Sequence, residues 1–133
     1  MSFQFSIGAR NAALDAIETH VSTAPTLEIR SGSAPANCAA AASGTVLATL
    51  VLPSDWLAAA SGGAKALSGT WQDASADAAG TAAHFRINQG ATCHIQGTVT
   101  ATGGGGDMTL DNVVLAAAQQ VTVTAFTINA GGA

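Results

Sequence analysis

His84, Cys93 and His94 are the residues to question first, because imidazole and thiolate are the ligands zinc prefers. His84 and His94 fall on two neighbouring predicted strands of one hairpin. A structural zinc site needs four ligands, usually in close-spaced pairs, and no second pair accompanies these. Imidazoles that are half exposed, or hydrogen-bonded within a sheet, fit the pattern better. Cys93 and His94 are sequence neighbours, so on a strand they point to opposite faces and cannot form a nucleophile–base pair. Serine is abundant, but no GxSxG motif occurs.

The remaining candidates are equally thin. Asp107 and Asp111 flank a turn after four glycines. Calcium wants six to eight oxygens, and this spacing offers no further acidic partner, so turn and strand-start chemistry is the simpler reading. Nothing marks the same pair as glycosidase acids. Gly103–Gly106 resembles a phosphate cradle only superficially: a strand follows it, not a helix, and no lysine is near. Trp56 and Trp71 could stack on sugar rings, or could anchor a core or an interface. They are the two residues we single out as possible interface or ligand contacts. No catalytic, cofactor-binding or metal-binding residue is assigned.

Composition points the same way. Only 9% of the 133 residues are charged, against roughly 25% in an ordinary domain, and there is no tyrosine. Solubility must come from hydroxyls and exposed backbone. The net charge is −4 with four basic residues in all, which leaves no basic patch for nucleic acid or for an anionic membrane. Much of the 48% hydrophobic fraction is alanine, so the core is thin and oligomerisation or docking would add burial. Met1–Phe5 lacks a basic segment followed by an apolar run, so no secretory leader is expected and the chain should mature in the cytoplasm. The Ala-rich stretch Cys38–Ala60 is too interrupted to span a bilayer. Cys38 and Cys93 could pair; in a reducing compartment free buried thiols are the commoner state.

The elements that must position these residues are mostly strands. One helix is predicted near residues 8–22, capped by Ser6, with Ile7, Leu14, Ile17 and Val21 as its apolar stripe and Arg10, Asp15 and Glu18 outward. Pro25 closes it. Leu27–Arg30 alternates with period two. Ser31–Gly44 reads as a long loop of small residues, and Thr45–Leu52 as a strand stopped by Pro53. Lys65–Gln72 is a weaker strand. Thr81–Asn88 and Thr92–Ala101 form a hairpin about Gly90. Short strands follow near Asp107–Leu110 and Val113–Leu115, and Gln120–Ile128 has the cleanest alternation of all. Seven to nine short strands at this spacing predict one all-β domain over residues 1–133, an antiparallel β-sandwich or jelly roll over about 26–129 after one short N-terminal α-helix.

Several stretches together resemble small virion-associated proteins of tailed bacteriophages. They include Ala9–Glu18, Leu27–Gly32, Leu47–Leu50, Ser68–Trp71, Ala79–Ile87, Gly97–Val99 and Gly103–Asn112. The resemblance implies a β-rich accessory virion protein and supplies no active-site motif. It implies a capsid decoration or cement protein that binds the major capsid protein or other virion proteins, as a dimer or trimer, within the virion. A tail, collar or fibre-associated protein, with glycan bound at Trp56 or Trp71, is the alternative. No enzymatic activity, cofactor, nucleic acid or membrane partner is expected. Residues 1–7 and 129–133 are the candidate segments for reaching onto a neighbour.

Overall fold

Ser6 starts the first element. In the computed structural model, which describes residues 3–131, its backbone is extended and its hydroxyl oxygen accepts the Ala9 N–H. Helix α1 (Ile7–Val21) follows and ends at Ser22, whose φ is +77°. Ten strands come after it: β1 (Thr26–Arg30), β2 (Val46–Val51), β3 (Ala64–Ala66), β4 (Gln72–Asp73), β5 (Gly80–Thr81), β6 (His84–Gln89), β7 (Thr92–Ala101), β8 (Met108–Leu110), β9 (Val114–Leu115) and β10 (Val121–Asn129). The chain is therefore all-β with one short N-terminal helix. Its layers arise from one mixed sheet, ordered β2-β1-β6-β7-β8-β10-β3, that curls around a single core, with β4 on the start of β10 and β5-β9 as a separate pair.

The predicted hairpin is present as β6 and β7, paired antiparallel with a bulge between Ile87 and Asn88. His94 is the residue that the bulge leaves without a partner. The next pairing is unusual. β7 and β8 run parallel, Val99 beside Met108, although only a short loop joins them. Parallel neighbours normally need a crossover of a dozen residues or more. The glycine run makes the short return possible: a Cβ on Gly104 or Gly106 would come within 2.7 or 2.9 Å of the Thr100 side chain. Gly103–Gly106 thus lets the chain double back closely, which is a structural use of those residues.

The predicted strand Lys65–Gln72 is broken in two. Leu67 bridges to Leu57, Gly69 turns at φ +73°, and β4 resumes at Gln72. Alternation alone could not show the interruption, because the turn falls within the apparent pattern.

Trp56, Trp71, Phe126 and Phe85, in that order, form a chain of ring contacts through the core, with centroid spacings of 6.0, 5.5 and 5.5 Å. Leu, Ile and Val side chains of β1, β2, β6 and β10 pack around them. Trp56 and Trp71 are 0% and 1% exposed, and their indole N–H groups donate to the Ser22 and Ser68 carbonyls. As possible surface contacts they are therefore corrected: both are core residues, their apolar area and their one polar atom satisfied inside the chain.

The helix also departs from its expected stripe. Leu14 and Val21 are buried, but Ile7 and Ile17 are exposed. Asp15 and Glu18, read as outward, instead meet Lys65 of β3. The helix is fastened by polar contacts as much as by apolar ones: Arg10 Nε donates to the Ala130 carbonyl at 3.0 Å, and Asn11 accepts the Gly63 N–H at 2.9 Å. No helix among the described residues is long and apolar enough to cross a membrane.

Candidate functional site

The three strands β1, β6 and β7 sort their residues into two faces. Leu27, Ile87 and Ile95 form one row, and Ile29, Phe85 and Gly97 the next, all toward the core. On the opposite face Glu28, Arg86 and Gln96 lie side by side, with Arg30, His84 and Thr98 in the neighbouring row. Period two requires this separation. A face of this kind would ordinarily meet water. Here the segment 31–45 folds over it, and His84 and Arg86 end up buried.

Each polar residue of this face holds part of the covering segment. The His84 Nδ1 lies 2.6 Å from the Gly32 carbonyl, so Nδ1 carries the proton. Gln96 Nε2 donates to the Pro35 carbonyl at 2.7 Å. Arg86 Nη2 donates to the carbonyls of Cys38 and Ala40 at 2.8 and 3.1 Å. Arg30 Nη1 donates to the Ser43 carbonyl, while its Nε and Nη2 donate to Glu28 Oε1. Asn88 adds a third donor to that same oxygen. A disulfide between Cys38 and Cys93, Cα atoms 5.2 Å apart, completes the fastening. The cysteines are therefore paired, against the commoner state expected for a reducing compartment; they lie far apart in sequence, and only the fold brings them within bonding geometry. At the exit of the segment Gly44 has φ +69°, and a Cβ there would run into the Ser31 carbonyl.

The covered face is not fully satisfied. His84 Nε2, Arg86 Nε and Gln96 Oε1 are buried side-chain atoms without a hydrogen-bond partner among the described residues, and all three belong to it. Beside them opens a cleft of about 400 Å³, lined by Glu28, Arg30, Arg86 and Asn88 and roofed by residues 38–42.

The other sequence candidates are scattered. His94 is half-buried against α1, its ring edge-on to His20 at 5.2 Å, away from His84 under the roof. The two histidines and Cys93 share no site, and among the described residues no group of three or more His, Cys, Asp or Glu could hold a metal. Asp107 accepts the N–H and hydroxyl of Thr98 at 2.9 and 3.0 Å. Asp111 accepts the N–H groups of Asn112 and Thr122. These carboxylates fasten the two ends of β8 and do not converge.

Lys65 is the residue sequence reasoning missed. It is 2% exposed, and its Nζ contacts Asp15 at 2.6 Å and Glu18 at 2.9 Å. Burial lowers the affinity of its amine for the proton, but the hydrogen bonds to Asp15 and Glu18 outweigh it and hold the ammonium above its usual range. The hydrogen bond from Lys65, helped by the Ala60 N–H, holds the Asp15 carboxyl below its usual range. A lysine kept protonated in this way is a latch, not a nucleophile. Its only sequence signal is a lysine in a strand of small apolar residues.

Compared with protein-family models, curated proteins and solved structures, the chain matches none.

Proposed function

We propose that this chain is a non-enzymatic structural protein of a virion, a capsid decoration protein that binds major capsid subunits and neighbouring copies of itself. The observation that carries the reading is the segment before α1. Phe3, Phe5 and Ile7 are 73%, 51% and 58% exposed, alternate along five residues, and include two aromatic rings packed edge-to-face at 5.2 Å. An aromatic side chain buries roughly 150–250 Å² when it docks. Left in water, such a segment suits attachment to another surface. Val51, 73% exposed on the outer strand β2, supplies a further apolar contact for a dimer or trimer.

The ionisable groups support the same reading. Arg10, Arg30, Lys65 and Arg86 all bond within the chain, and Asp107, Asp111, Asp15 and Glu18 fasten elements together. They act as structural fittings. The resemblance to phage virion proteins agrees with this but rests on sequence patterns alone.

The test is binding of the purified protein to capsids that lack it. The parent chain should bind and raise the temperature at which the particles burst. A Phe3→Ser/Phe5→Ser double variant should fold normally, since both rings are exposed, and should lose at least tenfold in affinity, about 1.4 kcal/mol. Failure of the parent chain to bind capsids would overturn the capsid role; undiminished binding of the variant would overturn the role of the segment.

A further inference from the structure

We propose that the cleft beneath residues 38–42 is a binding site for a carboxylate-bearing saccharide unit, a uronate. The site goes beyond the structural role and stands independently of it.

Charge is the first consideration. Two of the four basic residues of the chain, Arg30 and Arg86, line this one cleft. Arg30 is neutralised by Glu28, with N–O distances of 3.1 and 3.0 Å. Arg86 is 5% exposed and bonds to carbonyl oxygens, with no carboxylate partner among the described residues. Its Nε is buried without a partner, and its Nη1 makes no hydrogen bond among the described residues. A buried guanidinium without a counter-ion is costly, and an anion that pairs with it recovers that cost. The cleft thus carries one uncompensated positive charge in a chain that is otherwise acidic.

The second consideration is which anion. The carboxylate of Glu28 lines the same cleft, and its charge is already matched by Arg30. A monoanion balances the single surplus charge of Arg86, whereas a dianion such as phosphate would leave one negative charge unmatched in the cleft. A carboxylate suits a guanidinium donor. The third is the rest of the ligand. The lining is mainly polar: Glu28 Oε2 takes no donor among the described residues, and Asn88 lines the same cleft. These groups match hydroxyls, not an apolar body. A volume of about 400 Å³ lies within the usual range for small-ligand sites. A sugar ring bearing one carboxylate meets all three requirements.

The test is a titration of the ¹⁵N-labelled protein, disulfide intact, with sodium glucuronate, glucose, sodium acetate and inorganic phosphate. Glucuronate should give saturable amide shifts confined to residues 38–42 and 86–91, at least tenfold tighter than acetate, with glucose silent. Asn88→Ala, at a half-buried position, should weaken glucuronate and leave acetate unchanged. Arg86→Gln should abolish both; because Arg86 also holds the roof, Asn88→Ala is the variant that decides if Arg86→Gln does not fold. No saturation by glucuronate up to about 50 mM, an affinity too weak for a specific site, would overturn the proposal. So would phosphate or acetate binding as tightly as glucuronate.

Discussion

Lys65 shows how a single residue can be invisible in a sequence and decisive in a fold. Its neighbours Ala64 and Ala66 make it look like the exposed member of a short strand, yet α1 lies over it and supplies two carboxylates. No local window contains that information, because Asp15 and Glu18 are some fifty residues away. Lys65→Met should remove the latch between α1 and β3 at a cost of about 2 kcal/mol, less than the 3–5 kcal/mol of a fully enclosed pair, since Asp15 can rehydrate. Denaturant unfolding would measure it. The pH dependence follows from the two shifts. Asp15 titrates lower in the folded chain, so its contribution is present above the ordinary carboxylate range and fades as pH falls through and below about 4. Lys65 titrates higher, so its contribution is complete below about pH 10.5 and fades as pH rises past it. In Lys65→Met both edges of the stability profile should flatten; an unchanged profile would show that the latch contributes nothing. Other residues were legible by type but not by place. Trp56 and Trp71, expected as possible interface or ligand contacts, are core residues, because whether a tryptophan anchors a core or a surface depends on which strands close over it.

Among the elements, those with strong periodicity were read almost to the residue. The helix expected at 8–22 runs Ile7–Val21, and the hairpin strands expected at Thr81–Asn88 and Thr92–Ala101 form as β6 (His84–Gln89) and β7 (Thr92–Ala101), with Thr81 in β5 instead. Alternation in Leu27–Arg30 and in His84–Asn88 correctly separated a polar from an apolar face. What covers the polar face is not legible, because a loop of small residues carries no signal of where it will fold. That loop, residues 31–45, holds the candidate site shut from one side, and the Cys38–Cys93 bond is its covalent fastening. Breaking that bond should matter at this scale. A Cys38→Ser/Cys93→Ser double variant should lose about 2–4 kcal/mol, as expected for a crosslink across a segment of this length. Hydrogen exchange should accelerate in residues 31–45 before it does in β6 or β10. Equal protection of the loop in both proteins would show that Arg86, His84 and Gln96 hold it unaided. The parallel return of β8 beside β7 was beyond reach for a different reason: four glycines suggest freedom, and here they serve a close approach to Thr100.

For the whole molecule, the class was legible because many short alternating segments leave few alternatives to a curled sheet around one core. The strand order was not, since register between distant strands is set by packing that no segment encodes alone. One feature of that packing bears on how the chain would carry load. The start of α1 and the end of β10 lie at one corner, joined by the hydrogen bond from Arg10 to Ala130 and, through Gly63, by the bonds from the Ala130 N–H to the Gly63 carbonyl and from the Gly63 N–H to Asn11. The first turns of α1 and the end of β10 therefore sit side by side. A pull that separates them meets β10 at its last pair, Asn129 with Ala64, and opens the ladder rung by rung instead of shearing it all at once. Tension then passes through the disulfide and skips everything between Cys38 and Cys93, so β2 to β6 stay slack inside a covalent ring. A single-molecule pulling trace should show early yielding at low force followed by a short extension that lengthens once a reductant is added; one abrupt high-force rupture would contradict it. A protein built this way gives first at the corner where α1 starts and β10 ends, and keeps its middle intact.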